Sequence, residues 1–364
     1  MLNQPWSQEY HPNFDLAVVI GRFQPVHNGH LRLFEEAKRI SKRQLVIVGS
    51  SFIARDSRNP FTFMERVDMI ESVFNSNNLT IEGIADNLYN DQQWLADIQG
   101  AIDGTISSYS EDPTLDLNTK NIVIIGYKKD DTTSYLNWFP KYQVWTVPNY
   151  NGSDGAQLDA TSIRRNFFTS DQHNFLKENV PESISSYLLG DWKNKNPYIM
   201  ENIRNEFKFL DSYKSQFAGL KYPPIFVTTD AVVICHGHIL LVKRRSHPGK
   251  GLWALPGGFL GTNETVKDSM FRELYEETKI ALTREQLNNY LKSIHVFDAP
   301  GRSLRGRTIT HAGLIVLESP KLPRVKGSDD AEVAKWFSLS DFYDMRDKTF
   351  EDHWSVGVNL INKI

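Results

Sequence analysis

The sequence predicts an α/β domain and an α+β domain joined by a helical segment, and three observations support this. The chain has 364 residues, which at roughly 150 residues per domain suggests about two domains. The first half alternates short apolar runs with helix-spaced ones, the pattern of a parallel sheet with helices on both faces. Near residue 190 the alternation stops. Residues 191–224 are polar and end in Tyr222-Pro223-Pro224, where paired prolines halt a helix. The predicted units are therefore a first domain over 1–190, a helical linker over 191–224 and a second, α+β domain over 225–364.

Each element has a local reason. Leu16–Ile20 is a short apolar run suited to a buried strand, and Gly29–Ser41 places Leu31, Phe34 and Ala37 at helical spacing. Gln44–Val48 is strand-like again. Thr62–Phe74 reads as a helix, with Thr62 and Glu65 forming a capping box. Asn121–Tyr127 and Tyr142–Val147 are further strands. In the linker, Glu201–Phe217 is helix-prone. Beyond it, Ile225–Cys235 and Ile239–Lys243 are strands joined by His236-Gly237-His238, a hairpin signal. A long helix over Thr265–Lys279 follows, then strands near Ser293–Phe297, Ile309–Leu317 and Val333–Phe337.

Composition narrows the function classes. Lysine and arginine number 41 against 44 aspartates and glutamates, a net charge of −3. That balance argues against broad adhesion to nucleic acid or membrane. The single cysteine, Cys235, forms no internal disulfide and excludes a thiolate zinc site; it reads as a buried strand residue in a reducing, cytoplasmic setting. No apolar stretch reaches the length of a spanning helix, and the opening MLNQPWSQEYHPNFD lacks the basic and apolar regions of a secretory signal.

The segment from Gly21 to His30, GRFQPVHNGH, lies between the first strand and the first helix. Free backbone N–H groups and the helix dipole favour anions there, and Gly21 and Gly29 allow close approach. His27 and His30 stand three residues apart, so both imidazoles can face one ligand and donate hydrogen bonds to a phosphoryl group as its charge develops.

The HxGH motif, His27-Asn28-Gly29-His30, resembles that of the nucleotidyltransferase superfamily, whose fold is Rossmann-like. Gly49-Ser50-Ser51, Arg58-Asn59-Pro60-Phe61-Thr62 with Glu65-Arg66, and Asn90-Asp91 followed by Trp94 are similar to segments of the archaeal-type nicotinamide mononucleotide (NMN) adenylyltransferases. Gly126-Tyr127-Lys128-Lys129-Asp130 resembles the family's GxxKD segment. Thr161-Ser162-Ile163-Arg164 resembles its late phosphate motif, with Thr161 and Ser162 suited to cap a helix. The resemblance implies attack by the NMN phosphate on the α-phosphorus of ATP, giving NAD and pyrophosphate, with Mg²⁺ accompanying ATP. It implies ATP contacts from Gly21, Arg22, Phe23, Gln24, Gly29, Lys128, Asp130, Thr161, Ser162 and Arg164. NMN would be met by Arg58, Asn59, Asn90 and Trp94, the last stacking on the nicotinamide ring.

In the second half, Glu273, Glu276 and Glu277 have i, i+3, i+4 spacing on the long helix, so their carboxylates project to one side. Such a cluster is repulsive unless a hard cation relieves it. The string from Gly258 through Glu264, Arg272, Glu273, Leu274, Glu276 and Glu277 to Ile280 resembles the Nudix box. The resemblance implies metal binding by Glu273, Glu276, Glu277 and a carbonyl at Gly257, with Mg²⁺, or alternatively Mn²⁺, as the ion. Glu276 and Glu277 would be catalytic, while Glu264 and Arg272 form a structural ion pair. It also implies a mixed sheet in an α/β/α sandwich. Lys279 stands where the box has glycine, at a cost of about 1 kcal/mol if the left-handed helix end is kept.

Pro300–Arg307 is similar to a segment of Nudix proteins related to ADP-ribose pyrophosphatases, with Ser303-Leu304 in place of Asp-Pro. Arg302, Arg305 and Arg307 would there grip the substrate's phosphates. The base is open among Asp329, Asp330, Glu332 and Glu351. As a whole the chain resembles the bifunctional NMN adenylyltransferase/Nudix hydrolase family, with ATP, NMN and ADP-ribose as small-molecule partners. A homo-oligomer is compatible with the sequence. A competing reading makes the second domain a non-catalytic ligand sensor, as in Nudix-like transcription regulators; the short stretch after Phe337 leaves little room for the helix-turn-helix such regulators carry.

Overall fold

The computed structural model describes residues 13–74, 76–116, 118, 121–127 and 138–364. These form two compact units. One runs up to Phe52 and includes Arg58–Asp86 and Asn90–Glu201; the other comprises Ile53–Ser57, Asn87–Tyr89 and Asn202–Ile364. Among the described residues no helix is long and apolar enough to cross a membrane.

The first unit contains five parallel strands: β1 (Phe14–Gly21), β2 (Ser41–Val48), β3 (Leu79–Gly83), β4 (Ile122–Tyr127) and β5 (Gln143–Val147). Their order is β3-β2-β1-β4-β5, which reverses direction between β1 and β4. In such sheets ligands bind beyond the carboxyl ends of the strands at that switch. The helices are α1 (Asn28–Ile40), α2 (Phe63–Val73), α3 (Asp91–Ser108), α4 (Ala160–Thr169), α5 (Asn174–Asn179), α6 (Glu182–Tyr187) and, after a π-turn at Leu188–Trp192, α7 (Lys193–Lys195). The division between units falls inside α8 (Pro197–Ser215), in the segment predicted as a helical linker.

Successive residues of a strand point to opposite faces. Leu16 and Val18 join a core with Leu45, Ile47, Ile122 and Ile124 and with Ile98 and Ile102 of α3. The intervening Ala17 and Val19 are buried too, and α1 packs along β1, β2 and β4. Burial on both sides is why these strands read as unbroken apolar runs. The edge strand β3 is only partly buried, so it carries no such run and sequence reading passed over it. The predicted capping box closes α2: Thr62 Oγ1 accepts from Glu65 N–H at 3.3 Å, and Glu65 Oε2 accepts from Thr62 N–H at 2.8 Å.

From α2, Arg66 enters the interior with no exposed surface. Its Nη1 donates to the carbonyls of Arg22 and Gly49, both at 2.7 Å; Nη2 donates to Ser50 at 3.0 Å and Nε to Thr62 at 3.2 Å. Burial pulls this guanidinium down to about 10, which leaves it charged at neutral pH. Carbonyl dipoles take the place of lost water, and the cation holds the loops after β1 and β2 together.

The second unit contains β6 (Phe226–Cys235), β7 (His238–Arg244), β8 (Trp253–Ala254), β9 (Gly257–Phe259), β10 (Leu291–Phe297), β11 (Thr308–Val316) and β12 (Ala331–Ser338). The sheet follows β10-β11-β6-β7-β12, with β8 on β7 and β9 on β6; it is mixed, β11 lying parallel to β6 and the other pairs antiparallel. The hairpin between β6 and β7 turns at His236 and Gly237, whose φ angles are 46° and 68°. On one face α9 (Val266–Thr278) and α10 (Arg284–Tyr290) bury Met270, Leu274 and Leu287 against Ala231, Val233 and Cys235. On the other, α11 (Leu339–Tyr343) and α12 (His353–Ile361) bury Phe342, Val356 and Leu360 against Val232 and Ile234. This is the sandwich that the resemblance to the Nudix family implied.

Replacing Arg66 with methionine leaves carbonyls of two loops without a donor. The expected cost is about 3 kcal/mol or more, measured as a lower urea midpoint in equilibrium unfolding. An unchanged midpoint would show that the loops hold without the cation.

Candidate active sites

At the carboxyl end of β1 the chain makes a tight left-handed step at Phe23, φ 52°. The Phe23 ring folds back beneath Gly21, where any Cβ would lie 2.8 Å from it, so Gly21 is required for packing. The same ring meets His30 edge-on at 4.8 Å. His27 is the N-cap of α1, and its backbone N–H donates to His30 Nδ1 at 3.3 Å. An accepting Nδ1 places the His30 proton on Nε2. The two imidazoles lie stacked, 3.7 Å between centroids. Tyr127, at the end of β4, donates its hydroxyl to the Gly29 carbonyl, and burial raises its pKa.

These groups border a cavity of about 740 Å³, open to solvent, at the switch between β1 and β4. Arg22, Phe23, Gln24, His27, Gly29, His30, Thr161 and Arg164 all line it. Lys128 and Asp130 lie outside the described residues. Some expected roles change in detail. The Gln24 side chain is spent on the backbone of Phe61, donating to its carbonyl at 2.8 Å and accepting its N–H at 3.0 Å. It fastens the loop before α2, leaving its backbone to border the cavity. Asp159, not Thr161 or Ser162, caps α4; its Oδ1 accepts both their N–H groups, at 2.7 and 3.0 Å. A carboxylate reaches the free N–H groups of a first turn better than residues already inside the helix. Arg164 is buried and donates to the Gln24 carbonyl at 2.7 Å and to Thr161 Oγ1 at 3.1 Å.

The four residues expected to meet NMN do not line this cavity. Arg58 and Asn59 lie in the loop before α2. Asn90 caps α3 through Oδ1, which accepts Gln93 N–H at 3.1 Å. Trp94 is half-buried against the core that includes Ile98, with its ring edge-on to Trp138 at 5.9 Å.

In the second unit, β9 passes directly under α9. A Cβ on Gly257 would lie 2.1 Å from the Thr229 carbonyl oxygen, so that position needs glycine; one on Gly258 would lie 2.4 Å from Glu273 Oε1 and push that side chain aside. Gly257 N–H donates to Glu277 Oε2 at 3.0 Å. Arg272 grips Glu264 with Nε and Nη2 at 2.9 and 2.7 Å, while its Nη1 reaches Glu273 at 2.9 Å and Glu276 at 2.8 Å. The arginine holds the Glu264 carboxyl down to about 2. Burial pushes Glu277 up to about 8, helped by the charges of Glu273 and Asp230, and also raises Glu273, helped by those of Glu276 and Glu264.

The expected single cluster of three carboxylates is therefore divided. Arg272 competes for Glu273 and Glu276, and Glu277 turns to the glycine strand. Among the described residues no trio of acids, histidines or cysteines is gathered tightly enough to grip an ion as the side chains stand. The donor set still fits a hard divalent cation: the groups are carboxylate oxygens, and the buried Glu277 has, among the described residues, only the Gly257 N–H as partner, short of compensating positive charge. Lys279 keeps the left-handed conformation expected of glycine, φ 50°, and lays its ammonium over the Tyr275 ring at 4.9 Å.

The expected arginine grip on the substrate's phosphates also changes. Arg302 is buried and bidentate on Asp352, both contacts 2.8 Å, so its fork is already engaged. Arg307 sits beside Asp298 at 3.7 Å. Arg305 lies over the Phe259 ring at 4.8 Å.

From the segment around these arginines the sequence offers only Glu351, as a candidate base; the structure gives the whole segment an anchoring role. Phe350 N–H donates to the Trp253 carbonyl at 2.8 Å, Glu351 Oε1 accepts from Ser303 Oγ at 3.0 Å and Leu304 N–H at 2.8 Å, and Asp352 holds Arg302. His353 Nδ1 accepts Leu255 N–H at 3.0 Å. Four consecutive residues thus tie the 300–307 loop and the strand leading to Gly257 to one place. The positive φ of Glu351, 44°, is the strain this costs. No motif flags it, because each residue uses a different kind of contact.

The Cytidylyltransferase-like family model matches residues 18–131 and the NUDIX domain model matches 226–357. A nicotinamide/nicotinic acid mononucleotide adenylyltransferase of Acinetobacter baylyi is 29% identical over 48% of this chain and 85% of its own length. An ADP-ribose pyrophosphatase of Methanocaldococcus jannaschii is 34% identical over 32% of this chain and 63% of its own. A crystal structure from Francisella tularensis, a bifunctional NMN adenylyltransferase/ADP ribose pyrophosphatase complexed with AMP and a manganese ion, is 34% identical. It covers 96% of this chain and 99% of its own, with a TM-score of 0.85.

The His353 contact carries a pH dependence. Burial holds the imidazole down to about 3 from an ordinary 6.5, so it is neutral in the fold. Below about 6.5 the unfolded chain takes up the extra proton, so the contribution is complete above that pH and is lost as pH falls toward about 3. Melting temperature should fall across that window, and His353→Gln, which can still accept Leu255 N–H, should flatten the slope. Identical slopes in both proteins would remove His353 as the cause.

Proposed function

Because the chain belongs to the family of bifunctional NMN adenylyltransferase/ADP-ribose pyrophosphatases, we propose that its first unit transfers the adenylyl group of ATP to NMN and its second hydrolyses ADP-ribose to AMP and ribose 5-phosphate. One observation carries the reading: His27 and His30 lie stacked at 3.7 Å beside an open cavity at the sheet's switch point, where phosphate ligands are best held.

In the first reaction an NMN phosphate oxygen forms a bond to the α-phosphorus of ATP and the bond to pyrophosphate breaks. The proton on His30 Nε2 is available to the phosphoryl oxygens as their charge grows, with His27 beside it. Arg164 and the capped amino end of α4 border the same cavity and are suited to the triphosphate. Trp94, Arg58, Asn59 and Asn90 are assigned to the NMN end on the family resemblance.

In the second reaction, Glu273, Glu276, Glu277 and the Gly257 carbonyl are the residues that would hold a divalent cation, proposed as Mg²⁺. When bound, such an ion polarises the diphosphate and lowers the pKa of water. The chain's own part is to present carboxyl groups on α9, with Glu277 buried among them, and to bring β9 close enough for Gly257 to join them. A sensor lacking turnover is not favoured, since the second unit resembles named pyrophosphatases and the full-length relative is named as a bifunctional enzyme.

Two substitutions test the assignment. His30→Ala should lower NAD formation at least about 100-fold, the scale of losing a preorganised donor, while ADP-ribose hydrolysis stays within about two-fold. Glu277→Gln should do the reverse. Product analysis by mass, with Mg²⁺ and either NMN plus ATP or ADP-ribose, reads both activities; equal loss of both in either variant would contradict two separate sites.

A further inference from the structure

An aromatic ledge borders the second site and is not used by the mechanism above. It begins at Phe259, a residue 39% exposed that follows Gly258. Its backbone lies in the acidic site, with the carbonyl 3.5 Å from Arg272 Nη2. Phe226 of β6 meets the Phe259 ring edge-on at 5.8 Å, and Tyr213 and Phe217 continue the ledge behind Phe226 at 5.7 and 5.3 Å. Arg305 lies over Phe259, and its Nε is buried without a hydrogen-bond partner among the described residues. A core aromatic would be covered, and a surface arginine would turn its donors to water. Here a partly exposed ring and an unsatisfied guanidinium nitrogen stand together beside a diphosphate site.

We propose that this ledge receives the planar base of the nucleotide half of the substrate, with Phe259 as the stacking residue and Arg305 as the cationic wall. This rests on the hydrolase reading above and adds to it what selects the substrate. A purine has a π-face for the ring and acceptor nitrogens for the guanidinium, and neither contact depends on the bond being broken. The ledge would therefore act on binding more than on the chemical step.

The test compares ADP-ribose with its abasic analogue, two riboses joined by a diphosphate, on wild type, Phe259→Ala and Phe259→Trp. Phe259→Ala should raise KM for ADP-ribose about 10-fold, leave kcat within about two-fold, and leave KM for the abasic analogue unchanged; Phe259→Trp should restore KM. A KM that rises equally for both substrates would make Phe259 a packing residue, and a KM that does not move would put the base elsewhere. Either result overturns the proposal. If wild type left ADP-ribose intact, the hydrolase reading itself would fail. The ledge would then be judged by calorimetric titration of ADP-ribose, where equal affinity for wild type and Phe259→Ala counts against it.

Discussion

Loops at the carboxyl ends of parallel strands can hold reacting groups in place only if something pins them, and in the first unit that pin is a buried cation. Arg66 gathers the carbonyls of Arg22, Gly49, Ser50 and Thr62 around one guanidinium. These carbonyls belong to the loops after β1 and β2 and to the cap of α2, so one side chain sets the distance between segments far apart in sequence. The step at Phe23, the position of His30 above that ring and the reach of Gln24 to Phe61 all follow once the loop after β1 is fixed. Arginine suits this task because its planar fork offers five donors in fixed directions and keeps its charge even when burial pulls its pKa down.

The second unit meets the same need with a carboxylate partner. Arg302 and Asp352 form a buried bidentate pair, and the residues on either side of Asp352 extend the anchor to the 300–307 loop and to Leu255. Removing one member of such a pair leaves the other charged and unsatisfied, so the pair specifies a geometry more than it adds stability. The consequence for function is indirect. Arg302 supports the loop from which Arg305 reaches Phe259.

Both sites act on phosphorus, yet their electrostatics are opposed. On the proposed reading the first offers imidazole and guanidinium donors to charge that develops during reaction. The second offers carboxyl groups that need a cation to gather them: burial pushes Glu277 up to about 8, so it keeps its proton until positive charge is added, while Arg272 neutralises Glu273 and Glu276. On that reading the hydrolase unit depends on a divalent cation to bring its carboxyl groups to bear, while the transferase unit adds protein donors to those the substrates bring.

Much of this protein was legible in the chain itself. Strands buried on both faces must be apolar throughout, so β1, β2 and β4 could be read directly. Thr62 with Glu65, and the spacing of His27 and His30 or of Glu264, Arg272 and the glutamates, are local patterns that survive folding because a helix converts spacing into geometry. Other features depended on partners distant in sequence. The edge strand β3 carries too little burial to leave a pattern. Asp159 rather than its neighbours caps α4 because only its side chain reaches the free N–H groups. Arg302, one of three similar arginines in the sequence, became a structural residue because Asp352, fifty positions on, meets it in the core. Sequence thus determined the elements and the chemical types at each site. Tertiary structure decided which charged groups face one another, because the energy of a buried charge depends on its neighbours in space and not on its neighbours along the chain.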